Sequence, residues 1–135
     1  MAANTRVAAA IQILCVLAYR GAASTSDEIA RSLDTNPVVV RRLLKNLEAA
    51  GFVSLRQGKD GGVRLTFPAG EITLDQVFHA VEDDAAIFAL RQDGNPRCPI
   101  NRGMERLLPQ VFARVTDVVA ATLGKTTIAD LTAAI

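Results

Sequence analysis

The pattern that most narrows the choice of fold is two short helices followed at once by a glycine-rich hairpin. Thr25 and Glu28 have the spacing of a capping box, which begins a short helix. Asn36 as the N-cap and Pro37 at the first helical position begin a second helix, which ends at Gly51. Two short helices joined by a tight turn are typical of a helix-turn-helix.

The hairpin follows this motif directly. Residues 52–56 and 63–67 read as two strands, and the charged, glycine-rich segment 57–62 reads as the turn between them. A strand pair placed directly after a helix-turn-helix is a wing. The sequence therefore predicts a mainly helical fold with a small β-hairpin, a winged helix-turn-helix with a long C-terminal helix.

Helices on either side of this motif complete the prediction. The segment from Thr5 to Arg20 is apolar on most sides and is expected to be a buried helix. The longest periodic segment, 100–123, is expected to kink or break at Pro109. A short terminal helix is expected over 126–135. Apolar residues recur along the long segment at spacings of four and three, at Met104, Leu108, Val111, Val115 and Val118.

Such a seam usually packs against another long helix. The sequence contains no second long helix, so we expect the same helix of a second copy to cover it and to form a homodimer. The alternative is that the first helix covers the seam alone. The expected organisation is a DNA-binding domain over 1–83, a linker or sensor loop over 84–99, and a dimerisation helix with the terminal helix over 100–135.

The apolar N-terminal run was also compared with a secretory signal peptide. Gln12 interrupts the run, and Tyr19 and Arg20 stand where small residues are required for cleavage. The run is too short to span a bilayer. A buried helix, a cytoplasmic location and no membrane contact are therefore expected.

Charge is distributed unevenly, although 15 basic and 14 acidic residues give a net charge of only +1. Segment 36–67 holds six basic and two acidic residues, a local charge of +4. Segment 71–93 holds one basic and six acidic residues, a local charge of −5. The basic part coincides with the second helix of the motif and the wing, and a surface that binds the phosphate backbone needs this local excess.

The residue types in this basic segment predict double-stranded DNA as the partner. The second helix of the motif has one apolar face for the core, and its opposite face suits the major groove, where arginine reads guanine and valine meets a thymine methyl. Hydroxyl groups and the free N–H groups at the helix starts are expected to bind phosphates. The wing is expected to follow a minor groove. The predicted DNA-binding residues are Ser24, Thr25, Ser26, Thr35, Asn36, Val38, Arg41, Arg42, Lys45, Arg56, Lys59, Gly61 and Gly62.

Two other classes of function are alternatives to DNA binding. A winged helix also serves as a protein–protein interaction module, whose basic face would bind an acidic partner. An enzyme is not expected, because the chain has one histidine and no nucleophile-elbow, phosphate-loop or metal-ligand spacing. Asp83 and Asp84 are a carboxylate pair, but adjacent residues on a helix diverge.

Five stretches of the sequence share one family pattern, 33–44, 47–53, 58–65, 72–77 and 80–82. They resemble the Rrf2 family of dimeric bacterial winged-helix transcription regulators. The resemblance implies a homodimer that binds a palindromic operator, usually as a repressor. It implies base contacts from Asn36, Val38 and Arg41. The family often has arginine directly before the first wing glycine, where this chain has Gln57, and strand alternation would aim Arg56 to the other face. Lys59 is the candidate substitute.

Many members of the family hold an iron–sulfur cluster on three clustered cysteines before the long helix. This chain has only Cys98 in that region, and Cys15 and His79 are the other soft ligands. A cluster needs about four ligands, so neither a cluster nor another metal is expected. Cys98 instead lies before a helix start, between Arg97 and Arg102, an environment that favours a reactive thiol. The alternatives are a thiol redox sensor and an inert loop cysteine.

Overall fold

The computed structural model describes residues 4–82 and 86–135, and within them the chain is mainly helical with one two-stranded sheet. The Asp83–Asp84 pair lies outside the described residues. A 3₁₀ turn, Ala69–Glu71, precedes the fourth helix. The elements are α1 (Arg6–Arg20), α2 (Ser26–Leu33), α3 (Pro37–Ala49), β1 (Val53–Arg56), β2 (Gly62–Leu65), α4 (Leu74–Val81), α5 (Pro99–Leu123) and α6 (Ile128–Ala133).

One hydrophobic core joins α1, α2, α3, the hairpin, α4 and α6. As predicted, α1 is buried from more than one side, with Ile13 and Leu14 fully inaccessible. The expected core face of α3 is also buried. Cys15 is half-buried and packs against this core. The buried residues of α3 are Val40, Leu43, Leu44 and Leu47.

Local side-chain caps mark the starts of four helices, α2, α3, α4 and α6. Thr25 accepts the N–H of Glu28 at 3.1 Å, and the Glu28 carboxylate accepts the N–H of Thr25 at 3.4 Å. The same reciprocal capping box begins α4 at Thr73 and α6 at Thr127. These caps satisfy N–H groups that the first turn of a helix leaves unpaired.

The wing is an antiparallel hairpin in which Val53 pairs with Leu65 and Arg56 pairs with Gly62. The strands are shorter than predicted, because β2 ends before Thr66. The Thr66 N–H still bonds the Phe52 carbonyl at 2.9 Å. One hydrogen bond of the ladder therefore continues beyond the end of β2.

The two C-terminal helices differ in their packing. α5 is 25 residues long and contains no buried residue, whereas Ile128 of α6 is fully buried. α6 packs against α1 and the 3₁₀ turn, and Leu74 donates its N–H to the Thr126 carbonyl at 3.0 Å. The terminal helix, which the sequence division groups with α5, thus contributes to the core of the winged helix.

Pro109 lies inside α5, which runs through it as one continuous helix. The predicted break is absent. Proline removes one backbone hydrogen bond, and long helical segments on both sides keep the remaining ladder. In residues 4–82 and 86–135, none of the helices combines the length and apolar character needed to cross a membrane.

Candidate nucleic-acid interface

A groove of about 410 Å³ lies between α3, the start of α2 and the wing. It gathers residues that are distant in sequence, because the hairpin folds back beside α3. Four cationic side chains reach it from two elements, which gives it the positive character that a phosphate backbone requires. The predicted DNA-binding residues that line it are Thr25, Ser26, Arg41, Lys45, Arg56, Lys59, Gly61 and Gly62.

Two exposed rows of side chains run along α3. Arg41, Lys45 and Glu48 follow the spacing of one helix face, and the first two line the groove. Val38 is 50% exposed, and Arg42 is exposed on the neighbouring outward row. The basic and apolar groups predicted to enter a major groove are therefore at the surface of α3.

Arg41 faces an acidic residue at the start of α2. Its guanidinium lies 4.0 Å from the Asp27 carboxylate, and both side chains are more than half exposed. A pair this exposed contributes little to stability. The pair places the Arg41 guanidinium beside the start of α2.

The start of α3 offers no free backbone donor, contrary to the prediction for this helix start. The Asn36 side-chain oxygen accepts the Val38 N–H at 2.9 Å, and the Asn36 carbonyl accepts the N–H groups of Val39 and Val40. Pro37 has no N–H. In the Asn36 side chain, only the amide nitrogen remains available to contact a base. The other side chains of the first turn of α3, in residues 37–40, are apolar.

Ser24 must be removed from the predicted phosphate contacts. Its side chain is 2% exposed, and its backbone exchanges two hydrogen bonds with Val63, at 3.1 and 2.7 Å. Ser24 therefore joins the wing as an extra bridge and is buried by it. Thr35 is half-buried and lies beside a separate depression with Arg31 and Pro37, outside the groove.

The tip of the wing depends on glycine at three positions. Gly58 has a φ of 102° and begins the turn. A Cβ at Gly61 would lie 2.3 Å from the Arg56 carbonyl oxygen, and one at Gly62 would lie 3.0 Å from the Ser24 carbonyl oxygen. The hairpin is therefore narrow at its tip, as insertion into a minor groove requires.

Strand alternation predicted that Arg56 would face away from Gln57. Both residues line the groove, because the strand ends at Arg56 and the turn begins there. Gln57 and Leu55 were missed as lining residues. The available clue was their place within three residues of Gly58, the first wing glycine, since such residues stay beside the hairpin tip.

Comparison with known proteins decides the family. The family model described as Rrf2, iron-dependent transcriptional regulator, matches residues 3–134. The chain belongs to the Rrf2 family. Rrf2 proteins are transcription regulators that bind DNA, so this chain is a DNA-binding transcription regulator and not an enzyme.

Similar Rrf2-like chains extend over almost the whole length. YwnA of Bacillus subtilis (strain 168), whose name places it among HTH-type transcriptional regulators, is 34% identical over 128 residues, 95% of each chain. A solved structure described as a DNA-binding protein is 31% identical, with a TM-score of 0.76 over 93% of this chain and 97% of the other. A transcriptional regulator from Lactobacillus plantarum is 25% identical, with a TM-score of 0.79 over 96% and 88%.

The description of the Rrf2 model refers to iron, so the donor groups of this chain were tested for an iron site. In the described ranges, 4–82 and 86–135, no three histidine, cysteine, aspartate or glutamate side chains converge. Cys15 lies on α1 and Cys98 precedes α5. These residues do not fit an iron centre within one chain.

Cys98 is the N-cap residue of α5 and is half-buried. It lines a cavity of about 420 Å³ between residues 90–98 and α5, together with Arg91, Asn101 and Met104. Gly94 packs so closely on Asn101 that a Cβ would lie 1.9 Å from its side-chain oxygen. The segment before α5 is therefore held against the helix, with the thiol at the junction.

Proposed function

We propose that the protein is a homodimeric repressor in which α5 pairs with its counterpart and both α3–wing grooves bind one palindromic operator. The observation that carries this proposal is the exposure of α5. Val111 is 41% exposed and Val118 is 65% exposed, although both belong to the predicted seam. A row of large apolar side chains on a helix without buried residues indicates a partner surface.

The apolar side chains of α5 are not equally exposed. Leu108 and Val115 are partly covered, whereas Ile100, Met104 and Leu107 stand at 71, 37 and 45% exposure. The proposed contact surface is accordingly wider than a strict heptad stripe. A second copy fits it because the same apolar surface is self-complementary across a two-fold axis.

A two-fold axis along α5 explains the proposed operator. Each protomer would present α3 to a major groove and the wing tip to the adjacent minor groove. Two such half-sites, about one helical turn apart, read as a palindrome. We propose repression as the outcome, since a dimer bound in this way occupies the operator.

The proposed regulator acts without an iron–sulfur cluster. Among the residues that the structure describes, no three donor groups converge, and each chain has two cysteines. The test is the iron and acid-labile sulfide content of protein purified without oxygen. Stoichiometric iron and sulfide in protein that binds DNA would contradict this part of the proposal.

The Cys98 thiol is the proposed control point. Hydrogen peroxide would convert it to a sulfenic acid with release of water, and the added polar oxygen would disturb the junction at the start of α5. We expect peroxide to lower the DNA affinity of the wild type and not that of Cys98→Ser. Equal loss of affinity in both proteins would remove Cys98 from the proposal.

Sedimentation equilibrium tests the dimer. Val111→Lys places a charge in the apolar seam and is expected to give monomers with much weaker binding to duplex DNA. Gln110→Lys adds the same charge one residue away on an exposed polar position and is the matched control. A dimeric Val111→Lys protein would place the interface elsewhere.

A further inference from the structure

Two carboxylates lie within the basic segment 36–67, and they differ in their hydrogen bonding. Glu48, near the end of α3, accepts the backbone N–H of Leu55 in β1 at 3.1 Å. Asp60, at the wing tip, has no hydrogen bond or ion pair in the described part of the chain. A carboxylate near a phosphate-binding surface opposes binding by repulsion. The hydrogen bond to Leu55 gives Glu48 a structural role that Asp60 lacks.

The strand register explains why Leu55 has an unpaired N–H. Val63 exchanges both of its backbone hydrogen bonds with Ser24, on the outer side of β2. Leu55 is the partner of Val63 across the hairpin. In an antiparallel ladder the two residues of such a pair both turn their backbone groups away from each other. The Leu55 N–H therefore points to the open edge of β1, where Glu48 receives it.

This bond connects the two elements that form the groove. Glu48 shares its face of α3 with Arg41 and Lys45, and Leu55 lies one residue before Arg56. On the far side, Ser24 holds β2. The hairpin is thus held at both edges, by a backbone bridge at Ser24 and by a single side chain at Glu48.

We propose that Glu48 is a positioning residue that fixes the wing against α3, so that both elements meet DNA in one geometry. The proposal rests on the groove being the DNA interface. A wing that samples several angles would bind DNA only from the fraction of molecules with the right angle, and this lowers the apparent affinity. Glu48 acts through Leu55 and need not touch DNA.

The test compares three variants on one probe, the tightest-binding duplex that the wild-type protein selects from a random-sequence pool. Asp60→Ala, the matched control, removes a carboxylate without a bonding role and is expected to tighten binding. Glu48→Ala removes a carboxylate and its hydrogen bond, and is expected to weaken binding about threefold to tenfold. Glu48→Gln keeps an acceptor oxygen and is expected to bind at least as tightly as the wild type.

Two further measurements separate this proposal from a general loss of stability. Glu48→Ala is expected to speed hydrogen exchange at the Leu55 amide, whereas Glu48→Gln is not. The losses from Glu48→Ala and Lys59→Ala are expected to be less than additive, because a loose wing has already lost its contact. Tighter binding by Glu48→Ala, as for Asp60→Ala, would overturn the positioning role.

Failure of the interface itself would look different. If Lys59→Ala and Lys45→Ala leave binding unchanged, the groove is not the DNA surface, and that result contradicts the proposed function. Exchange at the Leu55 amide still reports on Glu48 in that case. Unchanged exchange in Glu48→Ala would overturn the proposed link between α3 and the wing.

Discussion

Asn36 shows how one side chain shapes the start of the helix that is proposed to meet DNA. Its oxygen caps α3 through the Val38 N–H, and its amide nitrogen is left facing outward. The cap and the following proline could be predicted from the sequence, since both follow from local rules. The hydrogen bonds from the Val39 and Val40 N–H groups to the Asn36 carbonyl could not be predicted in this way. They depend on how tightly the first turn is wound.

Asn36→Ala is expected to lower the free energy of unfolding by about 1 kcal/mol, because the cap is lost. Asn36→Ser keeps a capping oxygen and is expected to restore most of that stability without restoring the amide donor. Urea unfolding of both variants measures the difference. A serine variant as unstable as the alanine variant would show that the cap is not what Asn36 contributes.

Cys15 is the cysteine whose thiol the fold makes less acidic. Desolvation by burial raises the pKa of its thiol above the ordinary value. In Cys98→Ser, alkylation of Cys15 by iodoacetamide is expected to reach half its maximal rate at a higher pH in the folded than in the unfolded chain. The folded state holds this proton more tightly, so its stabilising contribution is present at low pH and is lost as the pH rises through the folded pKa. A lower half-rate pH in the folded chain would contradict this burial effect.

At the scale of elements, the helix-turn-helix and wing follow from the sequence because their rules are local. Caps, apolar periodicity and turn glycines each act within a few residues. The burial of Ser24 does not follow from such local rules. Its bridge to Val63 joins residues 39 positions apart, and no local pattern predicts that the wing will bury it.

The basic face of α3 carries a prediction of its own. Arg42→Ala combined with Lys45→Ala is expected to weaken DNA binding at least about tenfold near physiological salt, and to reduce the slope of log affinity against log salt by about 1 to 2. The reason is the loss of two cations that face phosphates or bases. Fluorescence anisotropy with labelled duplex DNA measures both quantities.

Arg64→Ala combined with Arg97→Ala is the matched control for this pair. It removes the same charge from two exposed side chains that do not line the α3–wing groove. We expect the control to change affinity only slightly. Equal losses in the two double variants would show that net charge, and not the α3 face, governs binding.

For the whole molecule, the chain reverses its course after α5 and returns α6 to the winged-helix core. The buried Ile128 and the Leu74–Thr126 bond attach the end of α5 to the DNA-binding body. The sequence predicted α5 and its apolar seam, but not the return of α6, because a six-residue helix has too short a pattern to show which surface it meets. The end of α5 is thereby connected to both α4 and α6.

The central claim is that two copies of this chain read one palindromic duplex sequence. The direct measurement is selection of genomic DNA fragments by the purified, reduced protein at ~150 mM salt, where non-specific binding is weak. The account predicts enrichment of a single palindrome whose half-sites lie about one helical turn apart. Recovery of fragments without a shared sequence, or of a lone half-site without symmetry, would contradict it.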